Sequence, residues 1–281
     1  MRHTGGTGVR EMNNHRGGKA AVVSVPGMER MVLSVNLGRA SAAAPTDSAS
    51  GLTGIDKRPA DGPVAVAAPG PKGVGGSGLA GDAVCDLRHH GGYDQAVYVY
   101  AREDLDHWGR ALGRELPGGV FGENLTTSGI DVNDTRIGER WRIGPDLVIE
   151  ASSCRVPCRT FADWLGERGW VKRFTQEARP GGYFRVLQPG TIRAGDQVEV
   201  LYRPEHEVSV SFLFRALTTA SELRSRLIAA GEALHPEERA LAATWAAQAG
   251  GSPSPGALAA GAPAAGAPTA GAPTAGAAPT A

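Results

Sequence analysis

The chain is organised around two motifs, Phe121-Gly-Glu-Asn-Leu-Thr-Thr127 and Ser153-Cys-Arg-Val-Pro-Cys158. The segment between them contains two runs typical of β-strands, separated by the turn residues Gly144-Pro-Asp146. A return of the chain through these two strands predicts that the motifs lie close together. One motif offers a glutamate and an asparagine behind a glycine, and the other offers a thiol preceded by an arginine and a proline. We interpret these groups on strand-end loops as a ligand site rather than as part of the core.

Short runs rich in β-branched and aromatic residues predict strands along much of the chain. The predicted strands are Met31–Leu37, Pro63–Ala67, Ala96–Tyr100, Thr135–Ile143, Leu147–Ala151, Tyr183–Leu187 and Gln197–Tyr202. Helical patterns do not alternate regularly with these strands, as they would in a doubly wound sheet. Many short strands and few helices therefore predict a mainly β fold, a closed or nearly closed β-barrel.

Two parts of the chain carry helical patterns. Apolar residues recur at helical spacing from Glu103 to Leu116, and they place Trp108 on a buried face. From about residue 206 to residue 250 the pattern changes to helices and predicts a small three-helix extension. In that extension, Thr219–Glu222 reads as a capping box, and Leu241 shares a buried face with Trp245.

The two ends of the chain have compositions that do not predict a packed structure. Residues 1–27 are rich in Gly, Asn, His and Arg without periodicity, so the functional start is expected at Met28 or Met31 and order is expected to begin at Met31. Residues 251–281 repeat Ala, Pro, Thr and Gly, and such a segment buries too little apolar surface to offset its ordering entropy. We therefore expect disordered ends around a barrel domain at 28–205 and the extension at 206–250.

Charge and cysteine content exclude several classes of protein. Lys plus Arg and Asp plus Glu both number 29, so no net field favours nucleic acid or an anionic membrane. No apolar run approaches the ~20 residues of a membrane-spanning helix. The three cysteines argue against a secreted disulfide framework and for a reducing cytoplasm.

Cys158 is the candidate for chemistry. A cysteine acts as a nucleophile or a soft ligand only as a thiolate, and Arg155 and Arg159 favour that anion. Thiolate suits a thiophilic metal centre. The alternative is that Cys158 is a small buried apolar residue.

Other polar residues near glycines and prolines are candidates for ligand binding. Gly122 allows close approach of the backbone to a ligand, so Asn124 can hydrogen-bond a heterocycle edge. Glu123 either joins it or satisfies local backbone amides. Adjacent strand residues point to opposite sides, so only one of His89 and His90 is expected to face a site.

Basic residues and a glycine-rich segment were weighed as phosphate sites. Lys57 and Arg58 suit a phosphate or another acidic group, although each alone is more often a solvated surface charge. Gly73–Gly78 lacks the strand-to-helix context and the Gly-Lys-Ser/Thr ending of a phosphate loop, so a plain flexible loop is favoured.

Five motifs together resemble the MOSC domain, found at the C-terminus of molybdenum cofactor sulfurases and in stand-alone bacterial proteins. They are Thr53-Gly-Ile-Asp-Lys-Arg-Pro59, Asp86-Leu-Arg-His-His-Gly-Gly-Tyr-Asp94, Phe121-Gly-Glu-Asn-Leu-Thr-Thr127, Ile137-Gly-Glu-Arg-Trp141 and Arg155-Val-Pro-Cys158. The resemblance covers about residues 31 to 205 and extends to one stand-alone branch with three C-terminal helices. It implies a MOSC-type β-barrel that binds molybdenum cofactor (molybdopterin), with Cys158 as molybdenum ligand or sulfur carrier.

The resemblance also implies the rest of the site. Lys57, Arg58, His90, Asn124 and Arg155 would hold the pterin and its phosphate. The implied activity is reduction of small N-hydroxylated bases and related compounds, with electrons from a partner protein. Two alternatives stay open: a carrier using a Cys158 persulfide without turnover, and a binding module whose helices dock a partner.

Two features depart from the family. The sulfurase's pyridoxal-phosphate domain has no counterpart in this chain, so pyridoxal phosphate is not expected to bind. Cys154 stands where relatives commonly carry a proline-like residue. It is expected to fill a small gap, and the alternative is an oxidative disulfide with Cys158.

Overall fold

The computed structural model describes residues 29–42 and 48–250. The expectations of disorder for residues 1–27 and 251–281, and of a start at Met28, concern residues outside these ranges. Twelve strands are present in the described residues: β1 Met31–Gly38, β2 Ser41–Ala42, β3 Leu52–Thr53, β4 Lys57–Pro59, β5 Val64–Val66, β6 Val97–Ala101, β7 Leu125–Ser128, β8 Arg140–Ile143, β9 Leu147–Cys154, β10 Gly182–Gln188, β11 Gly190–Ile192 and β12 Val198–Tyr202. The α-helices are α1 Arg102–Leu112, α2 Arg159–Leu165, α3 Trp170–Glu177, α4 Val210–Thr218 and α5 Pro236–Gly250, with 3₁₀ segments at Tyr93–Gln95 and Ser221–Ala233.

Eight strands form one mixed sheet in the order β12-β8-β9-β10-β6-β7-β1-β4. Neighbours are antiparallel except β6 and β7, which run parallel and are connected through α1. The predicted return between the two motifs is the antiparallel pair β8 and β9. Two further pairs, β11 with β5 and β2 with β3, lie outside this sheet.

The prediction was a closed or nearly closed barrel, and the closed form is wrong, because the sheet curls towards itself without closing. One isolated bridge joins Met31 to Gln197, and Val32 N donates to Asp196 O at 2.9 Å. The ladder cannot continue along the same edge of β1, since β4 pairs with its other end, at Asn36–Gly38. The result is a sheet-dominated fold with several helices.

Buried side chains form two apolar clusters. One contains Val97, Trp141 and Phe184 and lies among the strands. The other contains Trp108 from α1 and Phe214 from α4, so the C-terminal helices share a core with the sheet. Trp108 is fully buried, as its helical spacing predicts.

Three helical expectations need correction. Helix α1 ends at Leu112 rather than Leu116, because Gly113 adopts a left-handed φ of 68° and its N–H caps Gly109 O. The predicted capping box is absent: the segment after Ala220 is a 3₁₀ helix without a side-chain cap. Leu241 is 44% exposed, and α5 buries the small Ala242 instead. No helix in the described ranges has the length and apolar character that a membrane crossing requires.

Candidate functional site

A cavity of about 570 Å³ lies where the two motifs meet. The first motif contributes Gly122 and Asn124, and the end of β9 with the loop after it contributes residues 153–158. The segment 82–91 forms another part of the wall. The volume falls within the range of small-ligand and cofactor sites, ~300–1,000 Å³.

The structure brings five of the six predicted site residues to this cavity. They are Lys57, His90, Asn124, Arg155 and Cys158. Arg58 is the exception, and its predicted role in cofactor binding is not supported by its position. Its side chain is 74% exposed and pairs with Asp56, with Arg58 Nε 2.6 Å from Asp56 Oδ1. Lys57 and Arg58 are adjacent on strand β4, so their side chains point to opposite sides of the strand.

Asp82 holds two of these residues in place. Lys57 Nζ donates to Asp82 Oδ1, and Asn124 Nδ2 donates to Asp82 Oδ2 at 2.8 Å. Gly38 N donates to the same carboxylate at 2.7 Å, and Asn124 Oδ1 accepts from Tyr98 N at 3.1 Å. Burial lowers the pKa of Lys57, and the Asp82 carboxylate opposes that shift. Lys57 and Asn124 therefore form a preorganised wall whose polar groups already have protein partners.

Glu123 stabilises the turn of the first motif. Its buried carboxylate accepts from Gly119 N at 2.6 Å, Phe121 N at 2.9 Å and Thr126 Oγ1 at 2.9 Å. Burial raises the pKa of Glu123, and these hydrogen bonds oppose the rise. Of the two roles considered from the sequence, the local backbone role is the one observed.

Gly122 makes room for the guanidinium of the second motif. Its φ of 74° is left-handed, and a Cβ there would lie 3.4 Å from Arg155 Nη1 and 3.2 Å from Ile55 Cγ1. A side chain at this position would be both strained and crowded. The glycine of one motif thus sets the position of the arginine of the other.

Arg155 brings a positive charge to the cavity wall. The side chain is buried, and its guanidinium carbon lies 4.5 Å from the ring centre of Phe161 and 5.2 Å from that of Tyr98. Its Nε atom has no hydrogen-bond partner among the described residues. A buried donor without a partner costs free energy, and an anionic ligand group would supply one.

All three cysteines line the cavity, and each is a free thiol. Cys158 is half-buried and directly precedes α2. Cys154 is buried at the end of β9, and burial raises the pKa of its thiol well above the usual value. Cys154 is therefore a neutral thiol, which agrees with a filling role, and Cys158 is the more accessible of the pair.

His90 contributes a neutral ring. Burial, followed by the positive charge of Arg155, lowers the pKa of His90 to about 4. Among the described residues, no group of three or more His, Cys, Asp or Glu side chains could hold a metal ion. A metal in this cavity would therefore need most of its ligands from a cofactor rather than from the protein.

Comparison with known proteins identifies the family. The sequence profile of the MOSC domain matches residues 86–199. The Bacillus subtilis protein YflK is 36% identical over 184 residues, which are 66% of this chain and 79% of YflK. The chain belongs to the MOSC domain family. YiiM from Geobacillus stearothermophilus shares the MOSC fold with a TM-score of 0.61 and 26% identity, over 77% of this chain and 98% of YiiM.

Another relative carries a name that bears on activity. A Gibberella moniliformis protein named "Reductase" is 32% identical over 160 residues, which are 56% of this chain. The chain spans 27% of that longer protein. This MOSC protein is thus similar to one section of a reductase.

The cavity residues fit the molybdenum cofactor with which MOSC domains are associated. The cofactor carries a phosphate, and Arg155 offers an unpartnered buried donor for an anion. Molybdenum is thiophilic, and Cys158 offers a thiol at the same cavity. Two neighbouring groups complete the fit, the neutral His90 ring and the wall held by Asp82.

Several residues of the cavity were missed by the sequence analysis. Asp82 lies just after the glycine-rich segment, and Ser153 was quoted only as the start of a motif. Glu237 and Glu238 reach the cavity from α5, and Lys72 Nζ lies 3.1 Å from Glu237 Oε1. The signal for Asp82 is its partner Lys57, because a buried lysine calls for a carboxylate partner. That signal alone does not tell which carboxylate it is.

The glycine-rich segment is held in place by the His-His-Gly-Gly motif. Gly92 N donates to Gly75 O at 2.9 Å. A Cβ on Gly92, whose φ is 81°, would lie 2.7 Å from Lys72 Cα. Backbone packs on backbone here, so the segment forms part of the cavity wall and places Lys72 beside α5.

Proposed function

We propose that this protein is a molybdenum-cofactor-dependent reductase of N-hydroxylated bases and related N-hydroxylated compounds, with Cys158 as the molybdenum ligand. One observation carries the proposal: an accessible thiol, Cys158, and a buried guanidinium with an unpartnered donor, Arg155, line the same cavity. The relative named "Reductase" supports the reaction class. When bound, the cofactor would exchange two electrons with the substrate.

The protein's own residues bind and orient. Arg155 would pair with the phosphate of the cofactor, because its planar donor fork matches a phosphate group. His90, kept neutral, would hydrogen-bond the pterin ring. Lys57 and Asn124 would contact the ring from a wall that Asp82 keeps rigid.

The electrons would come from a partner protein. The usual iron–sulfur clusters need four cysteine ligands, and this chain has three cysteines in all. The chain also lacks a recognisable flavin or nicotinamide motif. A separate electron-donor protein is therefore part of the proposal.

A second candidate function rests on the accessibility of Cys158. A half-exposed thiol in a cavity can carry a persulfide transiently, and a sulfur or cofactor carrier would use it without turning over a substrate. The binding-module alternative would need neither metal nor sulfur.

Metal and sulfur analysis of protein made in a molybdenum-replete host tests these functions. We expect stoichiometric molybdenum and reduction of an N-hydroxylated base, such as N6-hydroxyadenine, with reduced viologen as electron donor. Metal-free protein that carries sulfane sulfur would favour the carrier and contradict the reductase. Protein with neither molybdenum nor sulfane sulfur would favour the binding module.

Arg155→Met is expected to weaken cofactor binding by about 10²-fold. The methionine keeps an unbranched apolar stem and removes the charged donors, and two charge-assisted hydrogen bonds contribute roughly 3 kcal/mol. Competition for cofactor released from a donor protein, with phosphate-free pterin as a second probe, measures the loss.

Arg155→Lys is the matched variant for that measurement. It keeps the charge but not the fork, so we expect an intermediate affinity for the cofactor. Equal affinity of wild type and Arg155→Met would contradict the role of Arg155 in holding the phosphate.

A further inference from the structure

Glu238 places a carboxyl from the C-terminal helices in the cavity. It lies in the first turns of α5, and the backbone there is anchored on β9 because His235 N donates to Ser152 O at 3.1 Å. The Ser153 hydroxyl donates a hydrogen bond of 2.5 Å to Oε1 of Glu238. Both side chains line the cavity beside Cys154.

The second oxygen of this carboxyl has no protein partner. Oε2 is shielded from solvent and makes no hydrogen bond to any described residue. An ionised carboxylate left in this state is costly, and protonation removes the cost. Burial raises the pKa of Glu238 to about 8, although the Ser153 hydroxyl opposes the rise.

The surrounding charges do not supply a partner. Lys72 Nζ pairs with the neighbouring Glu237, and Asp94 pairs with Arg185 at 2.7 Å. Burial lowers the pKa of His235, whose Nδ1 accepts from Glu237 N at 3.2 Å. Burial keeps Cys154 a neutral thiol. Glu238 is therefore a carboxylic acid at neutral pH.

We propose that Glu238 supplies a proton, through the Ser153 hydroxyl, to the oxygen that leaves an N-hydroxylated substrate in this cavity. The inference rests on the proposed reductase function. Reduction of R–NH–OH needs two electrons and two protons, breaks the N–O bond, and gives R–NH₂ and water. The electrons come from the reduced cofactor, which the partner protein then reduces again.

The serine acts as a relay in this step. Ser153 releases its own proton to the departing oxygen and takes the proton of Glu238, so the hydroxyl is unchanged at the end. The second proton goes to the nitrogen and comes from solvent. Reprotonation of Glu238 from solvent restores the acid. The C-terminal helices thus contribute chemistry to the MOSC core rather than packing alone.

Glu238→Gln tests the proposal in the cofactor-loaded protein. With N6-hydroxyadenine and reduced viologen, we expect kcat at pH 7 to fall by about 10²-fold or more, the usual contribution of a general acid, with KM little changed. Wild-type kcat should fall as the pH rises through about 8, since the acid is then lost, and this limb should be absent from Glu238→Gln. Ser153→Ala should lose activity to a similar degree, and the exposed Glu222→Gln should match wild type.

Infrared spectroscopy of the cofactor-free protein gives a readout independent of activity. A protonated-carboxyl band at pH 7 should be present in wild type, and the part contributed by Glu238 should be lost in the difference spectrum against Glu238→Gln. Absence of that difference, or unchanged kcat and pH limb in Glu238→Gln, would overturn the role of Glu238 alone. A wild-type protein that holds molybdenum but does not reduce the substrate would overturn both this step and the proposed function.

Discussion

Asp82→Ala is expected to lower the free energy of unfolding by about 3–5 kcal/mol, because it leaves a buried charge without its partner. The Asp82 carboxylate is buried and is the acceptor for Lys57 Nζ, Asn124 Nδ2 and Gly38 N. Without it, the Lys57 ammonium must lose its proton or take up water, and two further donors lose their acceptor. Urea unfolding, which follows the free energy directly, measures the change.

The exposed ion pair of Arg58, the residue after Lys57 on β4, provides the control. Asp56 pairs with Arg58, whose side chain is mostly exposed, so Asp56→Ala should cost at most ~1 kcal/mol. The double variant Lys57→Met, Asp82→Leu should recover part of the loss, since it removes both charges and fills the space. If Asp82→Ala cost no more than Asp56→Ala, the carboxylate would not hold the cavity wall.

Seven of the twelve described strands were predictable, because their signal is local, and the five that were not are β2, β3, β4, β7 and β11, each two to four residues long. Of the predicted strand Thr135–Ile143 only Arg140–Ile143 forms, as β8, and Ile137 is buried in a turn before it. In β8 the exposed Arg140 and Arg142 alternate with the fully buried Trp141 and Ile143. Such a pattern depends only on the two-residue period of a strand.

The closure of the sheet was not predictable in this way. Strand β1 pairs with β4 at Asn36–Gly38 and meets Gln197 at Met31, so closure depends on how far the sheet curves, and short strands carry no record of such remote partners. The predicted buried position of Leu241 in helix α5 is wrong for a related reason. In an alanine-rich helix the face that packs is set by close approach, so Ala242 is buried and Leu241 is not.

The candidate site was predictable only where it coincides with short motifs. Cys158 was found because the nearby Arg155 and Arg159 favour its thiolate, and Arg155 was assigned to the site through the motif that resembles the MOSC domain. Asp82 and Glu238 were missed because their partners are remote: Asn124 is 42 residues from Asp82, and Ser153 is 85 residues from Glu238. No local sequence pattern predicts such long-range contacts.

Cys158→Ser is expected to remove the molybdenum, and with it the reductase activity. The serine is nearly the same size, but its hydroxyl is a hard ligand that is not ionised at neutral pH, so it replaces a thiolate poorly. Changing a residue that only hydrogen-bonds a metal ligand typically costs ~10–100-fold in metal affinity, and loss of a direct ligand should cost at least as much. The molybdenum content of protein made in a molybdenum-replete host measures the effect.

Cys85→Ser and Cys154→Ala are the matched controls, because all three thiols line the same cavity. Cys154 is a buried neutral thiol, so its replacement should leave the molybdenum content at the wild-type level and slightly lower the stability. Cys85 is half-buried, and burial raises the pKa of its thiol, which disfavours the thiolate. If Cys154→Ala lost the metal and Cys158→Ser kept it, the ligand would be the buried thiol of Cys154 and Cys158 would not bind the metal. If only Cys158→Ser loses it, the soft ligand is the one thiol of the three that is both accessible and next to Arg155.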